Sequence, residues 1–432
     1  MFAALSGCSI LSSPVELGPP PSLVTLDGGS EYPADFVPSP LRVTTSDILY
    51  VTDRNPVVSE TGQVTGYGSA RSKQMVYGVS RVAFGEIESW EALVAQSSGE
   101  TEPNPTPLLL KGVREIARFP STPLPYLENG GRLQTTPEAE ASYNARIRTM
   151  RADLSARFRQ TGLDRATIYI HGFANEFDDA VGTLANIWHY SGRQSLPIAY
   201  SWPAGNDGVL AYFRDSEAGE FSVFHLKEFL RVLASVPELT QIDIVAHSRG
   251  TAVATVALRE LLLEARGAGK SGQALQRHLK TGTLVLAAAD LDLGVAQQRL
   301  VAERFGNAFE QINIYVNPND GALFLSGIIG AFDRVGGTDV DNLTDAEREE
   351  IALSGNVNVI SVERGKRSLG HSYFKDNPAV LSDIILSLWT SAPAGSRARP
   401  LTQLSPNLYS LPPDYPRNVE DVIDVVSALA DG

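Results

Sequence analysis

The sequence predicts an α/β fold, with a mostly parallel central sheet and helices on both faces. Three observations carry this. From Arg165 to Ser391, apolar runs rich in β-branched residues alternate with segments patterned for helices. The runs are apolar at successive positions, as strands buried on both faces require. Each intervening helical segment is long enough to return the chain for a right-handed parallel crossover.

The elements follow in order. "DILYVTDR" (47–54) and "QMVYGVSRVAFG" (74–85) cluster β-branched and aromatic residues and are expected strands. "SSGETEPNPTP" (97–107) reads as a loop, since proline fixes φ and removes an N–H donor. Residues 137–160 combine strong helix formers with Tyr143, Ile147, Met150, Leu154 and Phe158 at helical spacing. Strands are then expected at "RATIYIHGF" (165–173), "LPIAYSWP" (196–203), "QIDIVAHS" (241–248), "GTLVLAAAD" (282–290), "QINIYVNPND" (311–320) and "NVNVISVER" (356–364). Helices are expected between them at 175–192, 216–235, 250–266, 294–304 and 321–332, with a closing helix at 377–391. This divides the chain into a Pro-rich tether (1–41), a main domain with an N-terminal strand extension (42–395) and a C-terminal tail (396–432).

Composition limits the partners. The formal net charge is −14, so a nucleic-acid surface, which needs clustered Lys and Arg to displace counterions, is not expected. With neither an H-E-x-x-H motif nor a multi-cysteine site, no metal or other cofactor is expected. The single cysteine, Cys8, cannot form an intramolecular disulfide.

In open parallel sheets, ligands bind where strands end. Those positions hold His171-Gly172-Phe173, Ser201-Trp202-Pro203, His247-Ser248-Arg249-Gly250, Asp290 with Asp292, Asp320, and His371 in "LGHSYF". A serine, then an acid, then a histidine, each at a strand end, is the chain order of a nucleophile–acid–base triad. "QIDIVAHSRGTAVATVALREL" places Ser248 at the strand-to-helix turn, with small Ala246 and Gly250 on either side. Such an elbow exposes the hydroxyl and aims helix N–H groups at the reacting centre. His371 is the expected base and Asp320 the expected acid, with Asp290 or Asp292 in competition. The oxyanion donors are expected to be the N–H groups of Arg249 and Phe173. Trp202, Phe173, Phe177 and Tyr212 are candidates for an apolar substrate-binding wall. His247 reads as lining or packing, and His189, His225 and His278 as solvent or packing residues.

Several stretches, "ILYVTDRNP", "YGVSRVAFG", "IYIHGFANEFDDAV", "IAYSWPA", "DIVAHSRG", "IYVNPNDGALFLS" and "GHSYF", together resemble the bacterial α/β-hydrolases of the family DUF900, across residues 42–392. The resemblance implies an α/β-hydrolase fold with esterase- or lipase-like chemistry, and it matches Ser248, Asp320 and His371 to that family's presumed triad. Arg249 stands where the family more often has methionine. Separately, "MFAALSGCS" resembles a bacterial lipoprotein signal, which implies lipidation of Cys8, membrane attachment and a cell-envelope location, although only seven residues precede the cysteine.

The expected function is cleavage of a small carboxylic ester through an acyl-enzyme on Ser248. An acyltransferase or thioesterase would use the same three residues on an acyl substrate. A non-catalytic envelope scaffold is the reading from outside enzymology.

Overall fold

The computed structural model describes residues 15–25, 34–99, 105–206, 210–330, 333–363, 370–417, 421, 422 and 424. Its strands are β1 (Thr45–Val58), β2 (Val64–Phe84), β3 (Leu108–Arg118), β4 (Tyr126–Asn129), β5 (Arg132–Thr135), β6 (Arg165–Ile170) and β7 (Leu196–Ser201). They continue as β8 (Gln241–His247), β9 (Thr281–Ala287), β10 (Gln311–Val316), β11 (Val357–Val362), β12 (Thr402–Ser405) and β13 (Leu408–Leu411). An 11-stranded sheet runs in the order β12-β13-β11-β10-β9-β8-β6-β7-β1-β2-β3. From β1 to β13 its neighbours are parallel. The antiparallel pairs lie at the margins, β1–β2–β3 on one side and β12–β13 on the other.

Side-chain alternation explains why each central strand is apolar throughout. Ile168 and Ile170 pack on one face, where helices Pro137–Thr161, Ala211–Ala234 and Gly250–Gly267 contribute Leu154, Phe229 and Ala257. Tyr169 faces the other layer, where helices Phe177–Tyr190 and Pro378–Thr390 contribute Leu184 and Ile384. Val245 and Val285 point to this second layer, while Ile244 and Leu284 point to the first. Fully burying each of these aliphatic side chains contributes about 1.5–3 kcal/mol.

The topology also fixes where the site lies. The chain runs from β6 to β7 on one side, then returns to place β8 on the other side of β6. The loops after β6 and β8 therefore diverge and leave a crevice at their carboxyl ends.

Three expectations are corrected at the margins. The tether is not free along its described part, because Leu17 N donates to Thr106 O at 2.7 Å and Leu23 N to Ser382 Oγ at 2.9 Å. The C-terminal tail joins the sheet as β12 and β13, anchored by the buried Arg399–Asp383 ion pair at 2.8 Å. The strand extension is longer than its sequence pattern, and β3 was not anticipated at all. Its partly exposed face breaks the apolar run that marks the interior strands. Cys8 lies outside the described residues, and among the described residues no helix is long and apolar enough to cross a membrane.

Candidate active site

Ser248 sits between β8 and the helix Gly250–Gly267 with φ +52°. That left-handed conformation is unfavourable for a residue with a Cβ and needs surroundings that enforce it. Two glycines make the turn sterically feasible. A Cβ on Gly250 would lie 2.2 Å from His171 O, and one on Gly172 would lie 2.7 Å from Ser248 Cβ. The loop after β6 and the elbow thus approach more closely than side chains allow. Ala246 is fully buried in the sheet core, which explains why a methyl group suffices two residues before the serine.

His371, after β11, reaches Ser248 Oγ with Nε2 at 2.7 Å, and its Nδ1 lies 2.7 Å from Asp320 Oδ2. Asp320 is fully buried, whereas the His371 side chain is 26% exposed, so the acid is sheltered and the base is reachable. The second oxygen of Asp320 accepts from Ala322 N at 3.0 Å and Leu323 N at 3.2 Å. Burial on its own would raise this carboxyl. The His371 hydrogen bond and the two N–H donors outweigh burial and hold it below the usual carboxylate range.

The competing acids are engaged elsewhere. Asp292 caps the short helix Leu293–Ala296 through Val295 N. Asp290 accepts from Ser326 Oγ at 2.7 Å and Tyr212 Oη at 3.1 Å, and pairs with Arg334 at 3.2 Å. Neither makes a hydrogen bond to His371 among the described residues.

Among the described residues, the Phe173 and Arg249 N–H groups have no protein acceptor. Both flank the elbow, and the N-terminus of the helix Gly250–Gly267 lies behind it, a setting that favours developing negative charge. Phe173 is partly exposed and its ring lies 5.7 Å from that of Tyr212. Beside Asp320 a cavity of about 740 Å³ is bordered by Leu293, Pro318, Leu323, Arg334 and Leu343.

Two members of the expected substrate wall belong to the core instead. Trp202 is fully buried, stacked on His171 at 5.0 Å and donating from Nε1 to His171 O. Phe177 is buried against Tyr50 and Tyr67. An aromatic residue at a strand end serves packing as readily as binding, and burial decides here in favour of packing.

The sequence reading missed residues that hold the site in place. His247 does more than pack. Its Nε2 donates to His371 O at 3.1 Å, and its ring stacks on Phe374 at 4.4 Å. Burial first, and then the neighbouring His371, push it down to about 3, so it stays neutral. Arg54 and Asp215, both fully buried, anchor the loops after β6 and β7. A charge inside the β-branched run "ILYVTDR" was the available signal for Arg54, while Asp215 lies in an ordinary amphipathic stretch that gave none.

Comparison with curated proteins gives no match. The family model described as an alpha/beta hydrolase of unknown function (DUF900) matches residues 147–388, leaving the margins β1 to β3 and β12 to β13 outside it. With more than half of its length matched, the chain belongs to that α/β-hydrolase family.

Proposed function

We propose that this hydrolase cleaves carboxylic esters through a covalent acyl-enzyme on Ser248. The observation that supports this most is the continuous chain Ser248 Oγ–His371–Asp320, with both links at 2.7 Å, set at a left-handed elbow. A serine hydroxyl becomes a useful nucleophile when a base can take its proton as the bond forms. As Oγ attacks the ester carbonyl, its proton passes to His371 Nε2 and the carbonyl electron pair moves onto oxygen. Asp320, kept ionised, orients the imidazole and stabilises its charged form. The N–H groups of Phe173 and Arg249 hold the oxyanion. Collapse of the intermediate expels the alcohol, which takes the proton from His371. Water then enters by the same route, with His371 as base, and releases the acid.

An alkyl fluorophosphonate should label Ser248 and stop turnover of a short p-nitrophenyl ester. Ser248→Ala should abolish labelling and lower kcat by about 10⁴-fold or more. Labelling that persists in Ser248→Ala would remove this serine from the reaction.

A further inference from the structure

The loop after β6 presents three successive N–H groups beside the elbow, and among the described residues only the middle one is left without an acceptor. Gly172 N donates to Asn175 Oδ1 at 3.3 Å, and Ala174 N to Asp215 Oδ2 at 3.1 Å. Phe173 N has no acceptor among the described residues. Ala174 sits at φ +58°, which a residue with a Cβ adopts only under constraint.

Two buried charges supply that constraint. Asp215, on the helix Ala211–Ala234, also accepts from Gly205 N at 3.1 Å, Asn206 N at 3.2 Å and Asn206 Nδ2 at 2.6 Å. Arg54, on β1, donates to Asn175 O at 2.8 Å, Ala204 O at 2.8 Å and Ser201 Oγ at 2.9 Å. Its Nη2 also meets His171 Nε2 at 3.3 Å. Each charge therefore grips both the loop after β6 and the loop after β7. Their hydrogen-bond partners are neutral backbone and side-chain groups, a costly way to bury charge if stability were its only use.

We propose that Asp215, together with Arg54, which grips the same loop from β1, is a positioning residue that fixes the Phe173 N–H as an oxyanion donor. This rests on the ester-cleaving reading above. Arg54 remains a cation at neutral pH even though burial lowers it to about 10. Neither residue hydrogen-bonds to Ser248, His371 or Asp320 among the described residues, so both act through the loop.

The test uses the full chain, a short p-nitrophenyl ester and an alkyl trifluoromethyl ketone. The ketone adds to Ser248 Oγ as the ester does: a C–O bond forms, the proton moves to His371, and the oxyanion stays because there is no leaving group. Asp215→Ala should lower kcat by about 10²-fold or more, the range found when one oxyanion donor is lost. KM should change by less than about threefold, and ketone affinity should fall in parallel with kcat/KM. Asp215→Asn keeps an oxygen that can accept from Ala174 N and should recover about tenfold of the loss. Asp383→Asn, which disrupts the distant buried pair with Arg399, is the control for general destabilisation. The inference is overturned if Asp215→Ala lowers kcat no more than Asp383→Asn does, or if ketone affinity is unchanged. It is equally overturned if Asp215→Asn recovers nothing. A wild type that neither hydrolyses the ester nor binds the ketone overturns the ester-cleaving reading itself, and this inference with it.

Discussion

A second relay of acid, histidine and hydroxyl lies in this molecule, and it makes an instructive comparison with the first. His225 Nδ1 is 2.9 Å from Asp53 Oδ2, and its Nε2 is 3.0 Å from Thr122 Oγ1. The connectivity matches that of Ser248, His371 and Asp320, and the distances are nearly the same. Thr122 even borders a cavity of about 400 Å³ with Tyr126, Tyr143 and Phe224. The difference lies in the surroundings. His225 is 2% exposed against 26% for His371. The Thr122 N–H is already given to Lys73 O at 2.9 Å, and the next residue, Pro123, has no N–H to offer. No left-handed elbow or helix N-terminus supports Thr122 among the described residues. A hydrogen-bonded triad is therefore common chemistry that a core can use for its own satisfaction. What sets the Ser248 relay apart is a partly exposed imidazole together with the Phe173 and Arg249 N–H groups, which have no acceptor among the described residues and which the proposed reaction needs for its oxyanion.

The two acids give the largest separation. Asp320→Asn removes the group that fixes the His371 tautomer and should lower kcat by about 10³–10⁴-fold. Asp53→Asn should leave kcat of the folded protein within about threefold, since its histidine touches no reacting atom. Steady-state kinetics on one ester would read both. Equal losses from the two substitutions would mean that the two relays do not differ in use.

Stability should divide the relays in the opposite sense. His225→Phe leaves the Asp53 carboxylate buried without its partner and should cost about 3 kcal/mol in chemical denaturation. At His371 the same substitution also takes the partner from buried Asp320, but Asp320 keeps the Ala322 and Leu323 N–H donors, so the cost should be smaller, about 1–2 kcal/mol, while turnover is abolished. A His225 variant as stable as wild type would mean that this relay has some use other than holding the core.

How far the sequence could reach follows the same line. The central strands were legible because burial on both faces leaves an uninterrupted apolar run, and Ile168 to Ile170 or Ile244 to Ala246 show it directly. The order of Ser248, Asp320 and His371 was legible because chemistry-bearing residues cluster at strand ends, and position alone favoured Asp320 while leaving Asp290 and Asp292 in competition. What removes Asp290 from that competition is its engagement by Arg334, Ser326 and Tyr212, contacts made across 36 to 78 residues of chain. The edge strand β3 and the joining of β13 to the sheet were hidden for a related reason. Half-exposed or very short strands carry no periodic signature, and only long-range pairing with β2 and β11 defines them. Trp202 and Phe177 show the converse error, where an aromatic residue at the right place along the chain points into the core.

The smallest expected effect concerns pH, and it extends the comparison from relays to histidines at large. His171, His189 and His247 are all depressed by burial first. Neighbouring Arg54, Arg193 and His371, respectively, add to the effect. In the folded chain these imidazoles stay neutral at pH values where the unfolded chain takes up protons. Their contribution is therefore complete above the unfolded value, about 6.5, and is lost as pH falls below it at about 1.4 kcal/mol per pH unit for each histidine. For His247 that loss ends near pH 3. Asp320, also depressed, acts in a lower window: its contribution is full above about pH 4 and is lost as pH falls through its folded value. Urea denaturation at pH 7.5 and 5.5 should show wild-type stability falling between the two. His189→Gln, far from the reacting groups, should make that fall shallower by about 1.4 kcal/mol. Stability that stays level over this interval would mean that these imidazoles can take up protons in place, and that the sealed core around them is not sealed.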